Sequence, residues 1–380
     1  MDKLTRRDLV KASAGAVAGL AALSAMPERL AAAVHTARRG KEAARIRFAV
    51  IGANHGHIYG QVSSVTRGGG ELVSYYIKEP ELRDAFAKRF PNAKAVADER
   101  AILDDSSIQL VVSASIPDER APLGVRVMKA GKDFMVDKPG ITSMAQLAEA
   151  RRVQAETKRI YSILYSERLE NRATVKAGEL VKAGAIGGVI QTIGLGPHRM
   201  RPQTRPAWFF QKERYGGILC DIASHQFDQF LFFTGSSQAD VVASQVGNVH
   251  HRDTPELEDF GDVMLRGNGG AGYIRVDWFT PDGLTTWGDG RLTVLGTDGF
   301  IEIRKNVDIA GRPGGSHLFV VDQKETRYVD CRGVPLPYGE QLVDDVLNRT
   351  ETALPQAHCL LAMELALTAE KNAQRLSLEK

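Results

Sequence analysis

The sequence predicts an α/β protein: a doubly wound parallel sheet first, then an α+β domain on a large, open-faced, mainly antiparallel sheet. Three observations lead there. From residue 46 to about 165, short β-branched runs alternate with amphipathic helical patterns, which calls for a parallel sheet covered on both faces. Further on, strand-like runs succeed one another across Gly-rich turns such as "LRGNGGAGY" and "LGTDGF", the pattern of adjacent antiparallel strands. The first strand also runs straight into a glycine turn, "RIRFAVIGANHGHIYG".

Strands of the first half are read at Ile46–Ile51, Leu72–Ile77, Leu110–Ser115, Phe134–Val136 and Ile160–Tyr165, with helices over Pro80–Phe90, Ala121–Ala130 and Ser143–Lys158. Ser143 followed by Gln146 has the form of a capping box. A helix over Asn171–Ala183 leads to a strand at Gly188–Leu195, a Pro- and Arg-rich loop, and a helix over Asp221–Phe233. Strands follow at Val241–Gly247, Asp262–Leu265, Gly272–Trp278, Arg291–Leu295, Phe300–Arg304, Leu318–Asp322 and Thr326–Val329. Helices over Gly339–Leu347 and Gln356–Ala373 close the chain. The nucleotide-binding domain is thus placed at 46–165 and a substrate-binding and oligomerisation domain at 166–380. An open sheet face would leave apolar residues in water, so pairing into a homodimer or homotetramer is expected.

Residues 1–33 are read separately. Thr5-Arg6-Arg7-Asp8-Leu9 before a run of Ala, Gly and Leu has the form of a twin-arginine signal, read by the twin-arginine translocase and implying a periplasmic or otherwise exported protein. The run is too short and weakly apolar for a spanning helix. Ala31-Ala32-Ala33 offers small residues for cleavage, and 34–45 reads as a linker; an amphipathic N-terminal helix is the bland alternative. That route carries folded proteins, so export together with a nucleotide fold implies a tightly held cofactor.

The formal charge of +3 includes five Lys/Arg against three Asp/Glu in residues 1–33, which leaves the remainder near neutral. Nothing here points to nucleic acid, and no second apolar stretch points to a membrane span. Cys220, Cys331 and Cys359 form neither a metal pattern nor a disulfide framework.

A strand that ends in glycine and opens into a helix aims free N–H groups and the helix dipole at one point, where pyrophosphate binds. Of the three glycine places in the usual fingerprint, Gly52 holds the first, Asn54 the second, and His57, with Gly56 beside it, the third. Asn is among the few residues that tolerate the left-handed backbone a glycine would adopt there. The ribose-binding acid expected after the second strand is replaced by Ile77, with Lys78 next, which favours a 2′-phosphate and hence NADP over NAD; a solvated surface lysine is the alternative. His55 and His57 could chelate, but no carboxylate or cysteine near them in sequence completes a set, so no metal is assigned. A hydrogen bond to phosphate or substrate is the preferred role.

Two further stretches, "AGKDFMVDKPGITS" and "RYGGILCDIASHQFDQFLFF", resemble the glucose–fructose oxidoreductase / inositol dehydrogenase / MocA (Gfo/Idh/MocA) family. There an acid-Lys-Pro motif ends the fifth strand of the Rossmann sheet, and Gly-Gly-x-x-x-Asp-x-x-x-His opens a helix of the second domain. Here these read Asp137-Lys138-Pro139 and Gly216-Gly217 with Asp221 and His225, over a resemblance from about residue 45 to the C-terminus. It implies a cofactor, NADP or NAD, held near Pro117, Asp137, Lys138 and Pro139, acid/base work shared by Lys138 and His225, and Asp221 binding a substrate hydroxyl or orienting the histidine. It also implies a sugar or cyclitol substrate. The chain departs from the family in its glycine turn, in having Asp rather than Glu before the lysine, and in the Pro-Asn-x-x-His turn, which reads Pro117-Asp118-Glu119-Arg120-Ala121.

The residues themselves point the same way. A lysine partly desolvated at the carboxyl edge of the sheet loses basicity. Asp221, His225 and Asp228 would share one helix face, with Ile222, Phe227, Phe230 and Leu231 on the core side. Removing a hydroxyl proton during hydride transfer needs a base, commonly histidine. In "GPHRMRPQTRPAWFF", Arg199, Arg201, Arg205 and Trp208 would suit a sugar ring, acidic or lactone included, or form a surface loop anchored by Trp208. The expected activity is an exported NAD(P)-dependent oxidoreductase; the alternatives are transient oxidation driving elimination at a glycosidic bond, and a non-catalytic sugar-binding protein that has lost its cofactor.

Overall fold

The computed structural model describes residues 44–377; the stretch read as an export signal and most of the stretch read as a linker lie outside them. The first sheet contains β1 (Ile46–Ile51), β2 (Gly70–Tyr76), β3 (Lys94–Ala95), β4 (Leu110–Ser113), β5 (Asp133–Asp137) and β6 (Tyr161–Leu164). Their order is β3-β2-β1-β4-β5-β6, parallel throughout, so the order reverses between β1 and β4. Phe48, Ala49, Val50, Val111, Val112, Met135 and Val136 are fully buried, as a sheet covered on both faces requires.

The helices of two turns or more are α1 (Ile58–Arg67), α2 (Pro80–Arg89), α3 (Pro117–Lys129), α4 (Met144–Thr157), α5 (Arg172–Lys182), α6 (Ser224–Thr234), α7 (Tyr338–Asn348) and α8 (Gln356–Asn372). Helix α3 starts four residues before the Ala121 expected for it, with Pro117 in its first turn; a fixed φ and a missing N–H suit proline to that place. Ser143 caps α4 by accepting from the Gln146 amide, while Gln146 Oε1 accepts from the Thr142 amide rather than from Ser143.

The second sheet has nine strands: β7 (Val189–Pro197), β8 (Ala239–Gly247), β9 (Phe260–Gly267), β10 (Gly270–Asp277), β11 (Arg291–Gly296), β12 (Gly299–Arg304), β13 (His317–Asp322), β14 (Thr326–Val329) and β15 (Gln374–Arg375). The order is β14-β13-β12-β11-β7-β10-β9-β8-β15, antiparallel except at the β7–β10 and β8–β15 pairs. One face packs on α5 and α6. The other carries a row in register across seven strands, Met264, Tyr273, Ile193, Thr293, Glu302, Phe319 and Tyr328, in which Met264, Ile193 and Tyr328 are exposed.

The two sheets belong to one compact unit, because the last helices return to the first sheet. Gly339 of α7 sits so close to α1 that a Cβ would meet the Ser64 carbonyl oxygen at 2.0 Å. From α8, Gln356 accepts from the Tyr161 amide, and the Cys359 carbonyl accepts from the Tyr165 hydroxyl.

Instead of one helix over Asp221–Phe233 there is a short turn at Ile218–Asp221, a break at Ile222–Ala223, and then α6. The expected stripe therefore divides. Asp228 is wholly buried and takes two bonds from Arg168, at 2.6 and 2.7 Å, and one from His358 at 2.8 Å, tying the end of β6 to α6 and α8. Asp228→Ala would leave Arg168 an uncompensated interior charge, so urea unfolding should show a loss of about 3–5 kcal/mol.

Candidate active site

The carboxyl ends of β1 and β4 flank the point where the strand order reverses, the usual ligand crevice of such sheets. Gly52 lies there with φ +79°, and a Cβ on it would come within 2.7 Å of the Ser115 Cβ. The amides of Ala53, Asn54, Gly56 and His57 take no partner among the described residues, whereas the His55 amide is spent on the Ala114 carbonyl. Nothing stands within 4 Å of where a Gly56 Cβ would be. Free donors over open space, beside the start of α1, fit a pyrophosphate.

The neighbouring cleft, lined by Gly52, Asn54, Lys78, Glu79 and Arg126, revises the expectation of a missing acid. A carboxylate stands in it after all, that of Glu79, two positions beyond Ile77, which accepts from Asn54 Nδ2 at 2.8 Å.

Asp137, at the end of β5, organises the wall between this cleft and the main cavity. Its Oδ2 accepts from His55 Nδ1 at 2.7 Å and Arg120 at 3.2 Å, and its Oδ1 from His57 Nδ1 at 2.9 Å and the Lys138 amide at 2.8 Å. Burial alone would raise its pKa, but His57, Arg120 and His55 hold it well below the usual carboxylate range. An ionised carboxylate donates nothing, so both histidines carry a proton on Nδ1, and His55, whose pKa burial pulls down to about 4, keeps Nε2 bare. Sequence neighbours supply no third ligand for these histidines, yet the fold brings Asp137 to them, with ligand atoms within 4.8 Å of one another. All four acceptor positions of that carboxylate are filled by N–H donors, one a guanidinium, so the trio is satisfied by hydrogen bonding.

Arg120, adjacent to the place of the family's missing histidine, is 1% exposed. It donates to the carbonyls of Ser115, Lys138 and Pro139 as well as to Asp137, and so holds the Asp-Lys-Pro turn. Lys138, 6% exposed, donates from Nζ to Asp221 Oδ1 at 3.0 Å. Asp221 thus holds the ammonium rather than orienting His225. Burial would raise its pKa, and Lys138 outweighs burial, keeping it ionised.

A cavity of about 470 Å³ opens between the sheets. Of the expected site residues, Asn54, His55, His57, Pro117, Lys138, Asp221, His225, Arg199 and Trp208 line it. Asp137 and Pro139 lie buried behind it, and Gly52 and Lys78 face the smaller cleft. Arg199 is committed elsewhere: it donates to the Pro281 and Leu284 carbonyls and pairs with Asp282 at 3.5 Å, pinning the loop that carries Trp287. His225 is 3% exposed, and its Nδ1 is enclosed with no partner among the described residues.

Sequence reasoning did not single out Glu167, His198, Trp278 or Trp287, which also line the cavity. His198 Nδ1 donates to the Gly196 carbonyl at 3.0 Å, and its ring lies 4.4 Å from Trp287 and 5.4 Å from Trp278. The chain has three tryptophans, and all three face this one space. Their scarcity was a usable signal.

Two family models match. One, an oxidoreductase family model with an NAD-binding Rossmann fold, covers residues 46–165; the other, a GFO/IDH/MocA C-terminal domain, covers 174–302. The chain belongs to the Gfo/Idh/MocA family. Among solved structures it is similar to an Erwinia carotovora atroseptica SCRI1043 chain described as an oxidoreductase, with 45% identity and a TM-score of 0.85 over 87% of this chain and all of that one. Among curated proteins the chain is similar to a levoglucosan dehydrogenase from Pseudarthrobacter phenanthrenivorans, 28% identical over 42% of each chain. A scyllo-inositol 2-dehydrogenase (NADP(+)) from Bacillus subtilis is 26% identical over 46% of this chain and 48% of its own. The chain spans less than half the length of these two curated relatives.

Burial pulls the His225 pKa down to about 3. An unfolded histidine binds a proton below about 6.5, so stability is undiminished above that value and falls as the pH drops toward the folded one. Between pH 7.5 and 5 this group should account for about 2 kcal/mol of lost stability; urea unfolding of His225→Gln should show a correspondingly smaller drop.

Proposed function

We propose that this chain is an exported oxidoreductase that passes hydride between a tightly held nicotinamide nucleotide and a carbinol carbon of a sugar or cyclitol. The observation that carries this is the juxtaposition of Lys138, from the end of the nucleotide-binding sheet, with Asp221 and His225, from the second sheet's side, around one cavity. The Gly52 turn with its free amides would hold the pyrophosphate, and Glu79 the adenosine ribose. Nicotinamide held there would supply the hydride acceptor, and the residues of the cavity would manage the hydroxyl proton. Lys138, held by Asp221, is placed to take the departing hydroxyl proton in the oxidation and to return it in the reverse direction. His225, kept neutral by burial, lines the same cavity and can hydrogen-bond the substrate hydroxyl.

The Glu79 carboxylate in the ribose cleft recognises a diol and repels a 2′-phosphate, which supports NAD over the NADP that Lys78 first favoured. Export rests on the Thr5-Arg6-Arg7 signal, and pairing of two or four copies on the apolar row of the open sheet face. One observation favours a sugar-binding protein without nucleotide: the cleft beside Gly52 is small, about 40 Å³, and the Asn54–Glu79 bond lies in it.

Mass spectrometry of the molecule released on denaturing the purified protein separates the two readings; a nicotinamide nucleotide is expected, and none would overturn the redox assignment. Lys138→Met should lower kcat by a factor of 100 or more, roughly the range of general acid–base catalysis, with sugar binding retained. NAD should bind more tightly than NADP in fluorescence titration of the emptied protein, with the order reversed in Glu79→Arg.

A further inference from the structure

The cavity contains a second buried ion pair that the proposed chemistry leaves unused. Glu167 follows β6 at the carboxyl edge of the first sheet, its side chain 10% exposed, and pairs with Lys305, 2% exposed, just beyond β12. Gln226 donates to it at 2.9 Å and Gln229 at 3.4 Å, both from α6, while Lys305 also donates to Gln229 Oε1 at 3.2 Å. The three bonds that Glu167 itself accepts, from Lys305, Gln226 and Gln229, all fall on Oε2. Oε1 accepts no bond from the described residues and is not enclosed, and Glu167 lines the cavity. Burial would raise its pKa, but Lys305, then His225, hold it at about 2.

Burying two charges costs several kcal/mol each, and their attraction offsets that only in good geometry. A pair braced from three elements, with one oxygen left open to a cavity, is placed for a ligand. A fixed, ionised oxygen can accept hydrogen bonds but cannot donate, so it matches hydroxyl groups and repels a carboxylate.

We propose that Glu167 is the specificity-determining residue of the cavity: Oε1 accepts from hydroxyls of a neutral polyol ring, and the carboxylate excludes sugar acids at that end. The tryptophan wall formed by Trp208, Trp278 and Trp287 receives the ring's C–H face. This rests on the sugar reading above, names its substrate class as neutral, and sets aside the acidic sugars that the arginine-rich loop would have suited.

The test is a binding comparison on the purified full-length chain, following tryptophan fluorescence with D-glucose, myo-inositol and D-glucuronate as probes, for the wild type, E167Q and E167Q/K305M. The double variant leaves neither charge unpaired in the interior. The wild type should bind a neutral probe at least tenfold more tightly than glucuronate. Both variants should weaken the neutral probe by about 10- to 100-fold, the range of a hydrogen bond to a charged group, and close the gap to glucuronate. Unchanged neutral binding in both variants, an unchanged gap, or no binding of any probe to the wild type would overturn the assignment. Failure to find a nicotinamide nucleotide would sink the redox reading alone, because this comparison does not depend on turnover.

Discussion

One buried carboxylate sets the geometry of the whole site. Asp137 collects donors from the turn after β1, from α3 and from its own successor residue, and each of its four acceptor positions is used. A charge so enclosed is tolerable only if it is fully bonded. Those bonds in turn decide which proton each histidine carries and where Lys138 begins. Lys138 then reaches Asp221, just ahead of α6, so the strain-free position of one acid at the end of β5 is passed to the partner structure across the cavity. Any residue other than a short acid at 137 would have to release two imidazoles and a guanidinium together.

The fold was legible because its signals are local. Strand–helix alternation, turns such as "LRGNGGAGY" and the spacing of apolar residues depend on neighbours a few positions apart. Lys138, Asp221 and His225 were legible through paired motifs whose order along the chain mirrors their meeting in space. The break at Ile222–Ala223 was not, since the run "CDIASHQFDQFLFF" keeps helical spacing throughout and only the packing of α6 against β7 shows where the turn must open. Asp228 was misassigned for the same reason: periodicity identifies a face but not what that face meets, and here it meets Arg168 and His358.

The remaining misses are long-range. Asp137 joins His55 from 82 residues away and Glu167 joins Lys305 from 138. No local pattern encodes such a pairing. Arg199 lines the cavity as its cationic, aromatic loop suggests, but its Nη2 is given to carbonyls of a loop more than 80 residues on. An arginine with five N–H groups finds backbone acceptors readily, so composition alone cannot separate a ligand-facing guanidinium from one that braces a loop. Glu79 lies two positions beyond Ile77, at the start of α2 rather than the end of β2, so a search confined to the strand end does not reach it.

Taken together, the ionised groups of the cavity are arranged in closed accounts. Asp137 has Arg120, Asp221 has Lys138, and Glu167 has Lys305, so each interior anion is matched by its own cation at hydrogen-bonding distance. What remains uncommitted is imidazole: His225 is neutral and half unpartnered, while His55, His57 and His198 each spend Nδ1 on a fixed acceptor and keep Nε2. Burial first of all holds His55 and His198 near 4 and His225 near 3. Uncharged imidazoles therefore line the cavity as hydrogen-bonding groups and only weak bases, while the carboxylates hold their cations in place. A neutral hydroxyl entering such a cavity meets Lys138, held by Asp221, among uncharged imidazoles, so its proton can be exchanged there while the Asp137 and Glu167 pairs stay intact.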